Sequence, residues 1–355
     1  MNEIEKNISR GKHILILTPG FPKDEADDNC IPPLQEFLKR FKSTHPIARI
    51  SVIAFQYPYE KKSYKWNDIQ VHSLAGKNSK IKKVYIWFRA VRLAKKIHRA
   101  NNIDLIHSLW LGECALTGHF ISKKFNCKHI CTLMGQDVKS SNKYLRLLKN
   151  SSAKIIALSK NQADEFFRLT GRIVDQIIHW GIEDQVTNNT ERDIDLFAAG
   201  SFIPLKNYSL LIRTVEQIIE VRPAIKCILA GSGPEESKLK SLVKEKGLEK
   251  NITFPGLLNR KEIFKLMQRS KIFVHPSTFE GSGYVFAEEL ANGMNIASFN
   301  VGYAREHPKW FIAEDEEDFV TIIKKLLPVE LDCNPVNLFP MEETVHEYGK
   351  IYGVV

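Results

Sequence analysis

Long apolar runs are missing from this chain. No stretch of its 355 residues approaches the roughly 20 that a membrane-spanning helix needs, and the amino-terminal MNEIEKNISRGK has no apolar centre of the kind a secretory leader carries. The expectation is a cytoplasmic protein. Cysteine is sparse as well. Six are scattered at 30, 114, 127, 131, 227 and 333, and Cys127 and Cys131 have no second Cys or His pair at finger-like distance. A disulfide framework and a zinc finger are thereby excluded, and the thiols should be reduced and mostly buried. Internal repeats and low-complexity tracts are absent, as are the usual RNA- and DNA-reading motifs, so nucleic acid is not an expected partner.

What is present is a composition 43% hydrophobic in a chain long enough for two cores. Its charge is uneven. Residues 1 to 186 hold 31 Lys and Arg against 17 Asp and Glu (+14), and residues 187 to 355 hold 20 against 24 (−4), giving the net +10. A basic first half suits an anionic membrane surface or an anionic lipid-linked acceptor. There KHILILTPG, ISVIAF, IDLIHSLW, HICTLMG and KIIALS read as strands, and PLQEFLKRF, YIWFRAVRLAKKIHRA, CALTGHFISKK and KNQADEFFRL as helices. A polar passage, Gly181 to Asp193, reads as a linker, after which DLFAAGS, KCILAGSG, ITFPG, KIFVHPS and MNIASFN read as strands. This double alternation predicts an α/β chain of two doubly wound, Rossmann-like domains, 1–184 and 185–339, with the ligand at the C-terminal ends of the strands.

The segment HPSTFEGSGYVFAEELANGMNIAS, His275 to Ser298, sets Glu280 and Glu288 around a glycine turn with seven residues between them. Gly281 and Gly283 allow a sharp turn, and YVFAEELANG predicts a helix whose first amides attract phosphate. Both carboxylates can then face a ligand whose phosphates rest at the helix start, and ionised carboxylates suit vicinal hydroxyls. Taken alone, the pair also fits an ordinary turn glutamate and an unrelated helical one. The segment resembles the signature of retaining glycosyltransferases of family 4, which have the GT-B fold of two facing Rossmann-like domains with the donor in the cleft between them. SFIPLKNYSLLI, LAGSGPEESKL and NITFPGLLNRKEI resemble further segments of that family in the same order and spacing, so the likeness covers most of the second half closely and the first half more loosely.

The resemblance implies a role for each site residue. Glu288 would hold the ribose of a nucleotide-sugar donor and Glu280 the transferred sugar. Lys206, with Gly281, Ser282, Gly283 and Tyr284 at the helix start, would meet the diphosphate, with Arg260 or Arg305 assisting. Gly256 and Leu257 would face the nucleobase, while Gly231 and Gly233 are structural. In the first half Gly20 belongs to the loop near the donor, and the terminal helix, about 340–355, would cross back onto that domain. Three positions depart from the family: Ser201 stands where an arginine often follows the glycine, Asn29-Cys30-Ile31 replaces a second glycine, and Met134 replaces the histidine that reaches a sugar 6-hydroxyl. Met134 points to a 6-deoxy or C6-lacking donor or to reduced activity. Asp137 is a candidate sugar-side or acceptor-side carboxylate, or a helix cap; His107 reads as a core histidine. Asp193-Ile194-Asp195 resembles a metal-binding DxD of another glycosyltransferase fold but precedes a strand, so neither a metal nor another cofactor is expected. The basic stretch Lys80 to Arg99, rich in aromatics, reads either as an ordinary domain helix or as a peripheral contact with an anionic membrane. The function implied is retaining transfer from a nucleotide-sugar, UDP-linked, to a glycan or lipid-linked acceptor, in surface polysaccharide or glycoconjugate synthesis. A nucleotide-sugar epimerase of GT-B architecture and a catalytically inactive sugar-binding or scaffold homologue are the alternatives.

Overall fold

HILILTPG makes the first strand, β1 (His13–Gly20), and all but one of its residues are buried. Burial on both faces is what the centre of a parallel sheet demands, and the central positions Ile14 to Leu17 are all apolar. The computed structural model describes residues 11–79, 81–185 and 190–355. Lys80 of the basic stretch, residues 186–189 of the expected linker and the polar 1–10 lie outside the described residues. The chain divides into two compact units, Met1–Gly181 with Phe339–Val355, and Ile182–Leu338.

The first unit continues with β2 (Arg49–Tyr57), β3 (Ser63–Trp66), β4 (Ile69–Ser73), β5 (Leu105–Leu109), β6 (Lys128–Thr132), β7 (Lys154–Ala157) and β8 (Gln176–Ile177), in the sheet order β3-β4-β2-β1-β5-β6-β7-β8. Neighbours run parallel except for β3 against β4. That edge hairpin escapes the sequence reading because its strands are short and polar, yet Asn67 and Asp68, both with positive φ (43° and 61°), form the two-residue turn such hairpins prefer. The helices are α1 (Pro32–Thr44), α2 (Lys83–Ala100), α3 (Glu113–Phe125), α4 (Lys143–Leu148) and α5 (Lys160–Thr170).

The second unit is a six-stranded parallel sheet, β9 (Ile194–Ala199), β10 (Cys227–Ala230), β11 (Ile252–Thr253), β12 (Ser270–His275), β13 (Asn295–Phe299) and β14 (Trp310–Ala313), in the order β11-β10-β9-β12-β13-β14. Its helices are α6 (Tyr208–Ile219), α7 (Glu236–Glu245), α8 (Arg260–Arg269), α9 (Tyr284–Ala291) and α10 (Glu316–Leu326). Helical spacing explains α6: Tyr208, Leu211, Ile212, Val215 and Ile218 form one buried stripe. The stripe joins Leu196, Leu229, Val274 and Phe319 in a single core, where each large aliphatic side chain contributes roughly 1.5–3 kcal/mol.

The last helix, α11 (Met341–Tyr352), belongs to the first unit. Tyr348 and Tyr352 pack on Phe37 and Phe41 of α1, with ring centroids 5.0 and 5.2 Å apart. Their hydroxyls also reach the sheet. Tyr352 lies 2.6 Å from His107 Nδ1 and Tyr348 lies 2.8 Å from the Thr132 hydroxyl, which itself meets His107 Nε2 at 2.7 Å. His107 is therefore a core residue, and burial together with the nearby His129 pushes its imidazole down to about 3. Among the described residues no helix is long and apolar enough to cross a membrane.

Candidate active site

Strand β12 ends at His275, and the chain then turns through PSTFEGS before α9 begins. Gly283 caps that helix in the left-handed region (φ 67°), and a Cβ there would meet the Phe286 ring at 2.5 Å, so the turn has room for glycine alone. No side chain caps α9. The turn is held from outside by Gly302, whose own Cβ would strike the Ser282 carbonyl at 2.3 Å, and by the Tyr303 amide donating to that carbonyl at 2.8 Å.

Glu280 and Glu288 both line a cavity of about 510 Å³ in the second unit. Ser201, Lys206, Ser282, Gly283 and Tyr284 line it as well, and Leu257, Leu258, Ile263, Met267 and Val285 supply an apolar wall. Gly281 is buried within the turn. Each carboxylate has a cationic partner. Lys206 Nζ lies 2.5 Å and His275 Nε2 lies 2.9 Å from Glu280 Oε1, while Arg260 Nη2 lies 2.6 Å from Glu288 Oε1. Burial raises the Glu280 carboxyl, but the His275 hydrogen bond and the Lys206 charge outweigh it and hold it at about 2. His275 is pushed the other way: burial and the Lys206 ammonium lower it, leaving a neutral ring that donates from Nε2 while Nδ1 is buried without a partner.

Three expectations change in detail. Arg260, expected at the phosphates, is the counterion of Glu288. Arg305 lines a different cavity, with Asn300, Glu306 and Trp310. The Gly256 carbonyl accepts from the Gly231 amide at 3.0 Å, so in that loop Leu257, 79% exposed, is what faces the cavity. The glycines of GSGPE serve backbone approach: a Cβ on Gly231 would lie 1.9 Å from the Gly200 carbonyl oxygen, and one on Gly233 would lie 2.5 Å from that of Phe202. His275 carries no sequence signal beyond being a polar residue at the end of an apolar strand.

In the first unit, Asp137 is buried, and its carboxylate accepts from the amides of Leu111 (2.7 Å), Met134 (3.1 Å) and Gly135 (2.7 Å). Burial raises this carboxyl and those amides lower it. It shapes the Met134 loop, with both oxygens accepting from backbone amides. Gly20 ends β1 with Cys30 Sγ 3.3 Å from where its Cβ would stand, so side chains pack closely there. Asp193 pairs with Arg269 at 2.7 Å, and Asp195 pairs with Arg222 at 2.8 Å and Lys271 at 3.1 Å, so the DxD-like acids are structural ion pairs.

Residues 182–327 match the family model described as Glycosyl transferases group 1. The match falls almost entirely within the second unit, which resembles the group 1 glycosyltransferases. An uncharacterized glycosyltransferase of Methanocaldococcus jannaschii is 28% identical over 257 residues, 69% of this chain and 68% of the relative. Among solved structures, sucrose-phosphate synthase from Thermosynechococcus elongatus superposes with a TM-score of 0.79 at 16% identity, covering 97% of this chain and 98% of that one. HepE from Anabaena, in complex with UDP and glucose, gives 0.73 at 16% identity over 97% of this chain and 100% of its own. The fold of the chain is therefore GT-B.

Proposed function

We propose that the chain is a retaining glycosyltransferase that moves a sugar from a UDP-linked donor to a hydroxyl of a glycan or lipid-linked acceptor. The observation that carries this reading is the placement of Glu280, Glu288 and Lys206 around one cavity at the start of α9. Glu288, held by Arg260, is the carboxylate for the ribose hydroxyls, and Glu280, held by His275 and Lys206, is the one for the transferred sugar. The Lys206 ammonium has three donors and gives one to Glu280, so two remain for the diphosphate. Leu257, Leu258 and Ile263 form the apolar surface against which the base lies. The UDP-bound state of the HepE structure supports uridine as the base.

Charge develops on the diphosphate as the glycosidic bond breaks, and Lys206 with the α9 amides stabilises it. The departing diphosphate takes the acceptor's proton on the same face, which keeps the anomeric configuration without a protein nucleophile. No metal is needed, because the cations are supplied by side chains. Thermal-shift titration with UDP-, GDP-, ADP- and dTDP-sugars tests the reading. A donor at a hundred times its Kd adds about 2.7 kcal/mol of stability, so one nucleotide series should raise Tm clearly. No shift with any of them would overturn the assignment.

A further inference from the structure

A cavity of about 900 Å³ lies in the first unit between the β3–β4 hairpin and α2, along the basic stretch, and shares no lining residue with the cavity of the candidate active site. Lys61 and Lys62 enter it from the hairpin side, and Arg89, Arg92, Lys95, Lys96 and Arg99 from the helix, and no carboxylate lines it. Among the described residues none of these seven cations is paired with a carboxylate, although exposed cations elsewhere are, such as Lys240 with Glu236 and Arg168 with Glu165. Crowding shows in two places. The side-chain contact and charge of Lys124 push the Lys95 ammonium down, and Arg89 Nη2 is buried with no hydrogen-bond partner. Arg92, Lys96 and Arg99 fall on successive turns, a row with a repeat of roughly 5 Å.

Towards its N-terminus the same helix changes character. Ile81, just ahead of it, and Val84, Tyr85 and Phe88 are 95%, 56%, 60% and 72% exposed. Their spacing, i, i+3, i+4 and i+7, puts them on one outward stripe that runs into the basic row. Ile86, Ala90 and Ala94 take the opposite, buried face. A domain helix needs only that buried face; the exposed apolar stripe beside unpaired cations calls for a partner that offers hydrocarbon next to negative charge. We infer that this groove and stripe form a docking surface for an anionic lipid bilayer, with headgroup phosphates in the groove and Ile81, Val84 and Phe88 at the acyl boundary. A soluble linear polyanion would satisfy the cations but leave the stripe in water. The inference stands on the first unit alone and does not depend on the donor chemistry proposed for the second.

The test is sedimentation of the full chain with vesicles of phosphatidylcholine alone and of phosphatidylcholine mixed with phosphatidylglycerol. The wild type should bind the mixed vesicles only, and added salt should weaken that binding. The double variant Arg92→Gln, Lys96→Gln should bind roughly thirty-fold more weakly, and Ile81→Ser, Phe88→Ser should lose at least about ten-fold. All four side chains are exposed, so both variants should melt like the wild type, which separates lost docking from lost folding. Equal binding to neutral vesicles, or indifference to salt, would overturn the inference. So would full binding by the serine variant together with competition by inorganic polyphosphate, which would assign the groove to a soluble polyanion.

Discussion

Replacing Glu280 by glutamine removes one charge while keeping the shape and a hydrogen-bond acceptor for His275. In the folded chain this carboxyl sits at about 2 against an ordinary 4.5, a difference worth roughly 3 kcal/mol of stability at neutral pH. The folded value lies below the unfolded one, so the contribution is complete above about pH 4.5 and is lost as pH falls towards 2. At pH 3 less than half of it remains. The variant also leaves the Lys206 ammonium, whose side chain is 17% exposed, without its counterion. Glu280→Gln should therefore lower Tm by roughly 7–14 °C at neutral pH, and the gap to wild type should narrow steadily between about pH 4.5 and 3. Scanning calorimetry across that range measures both quantities. A gap that is absent at neutral pH, or constant down to pH 3, would show that the Lys206–Glu280–His275 cluster does not hold the carboxylate as described.

Gly231→Ala places a Cβ 1.9 Å from the Gly200 carbonyl at φ 142°, whereas Gly256→Ala, at φ 80°, meets open space. Urea unfolding should show the first losing at least roughly 3 kcal/mol and the second about 1; equal losses would mean that the close approach of the two loops does not matter. Turnover should survive a chelator, because Asp193 and Asp195 are held by Arg269, Arg222 and Lys271; abolition by EDTA with rescue by manganese would contradict this. Met134→His should shift selectivity towards ordinary hexose donors, since a thioether leaves a 6-hydroxyl unpaired at a cost of roughly 1–3 kcal/mol. Unchanged relative kcat/KM for hexose and 6-deoxy donors would remove Met134 from the C6 position.

The fold was legible wherever burial left a clean period. HILILTPG and KIFVH read as buried strands because their central positions, Ile14 to Leu17 and Ile272 to Val274, are all apolar, and the turn before α9 was legible because its glycines and acids are fixed by spacing. The β3–β4 hairpin was not legible: SYKW and IQVHS are too short and too polar to stand out from a loop. Within the site, Glu280, Glu288 and Lys206 could be found from local pattern, but their partners could not. His275 looks like the end of an apolar strand, and Arg260 lies 28 positions before Glu288 in the chain; only the packing of α8 beside α9 brings its guanidinium there. Asp137 illustrates the converse. A carboxylate two residues after a glycine looks available, and the three backbone amides that claim it come from two loops separated in sequence.

Glu288 is the ribose-binding carboxylate on which the proposed nucleotide site depends most, and calorimetric titration of UDP tests this role directly. Wild type should bind UDP, and Glu288→Ala should bind roughly ten- to a hundred-fold more weakly, because a charge-assisted hydrogen bond contributes roughly 1.5–3 kcal/mol. Equal affinities in the two proteins, or no binding of UDP by the wild type, would contradict it.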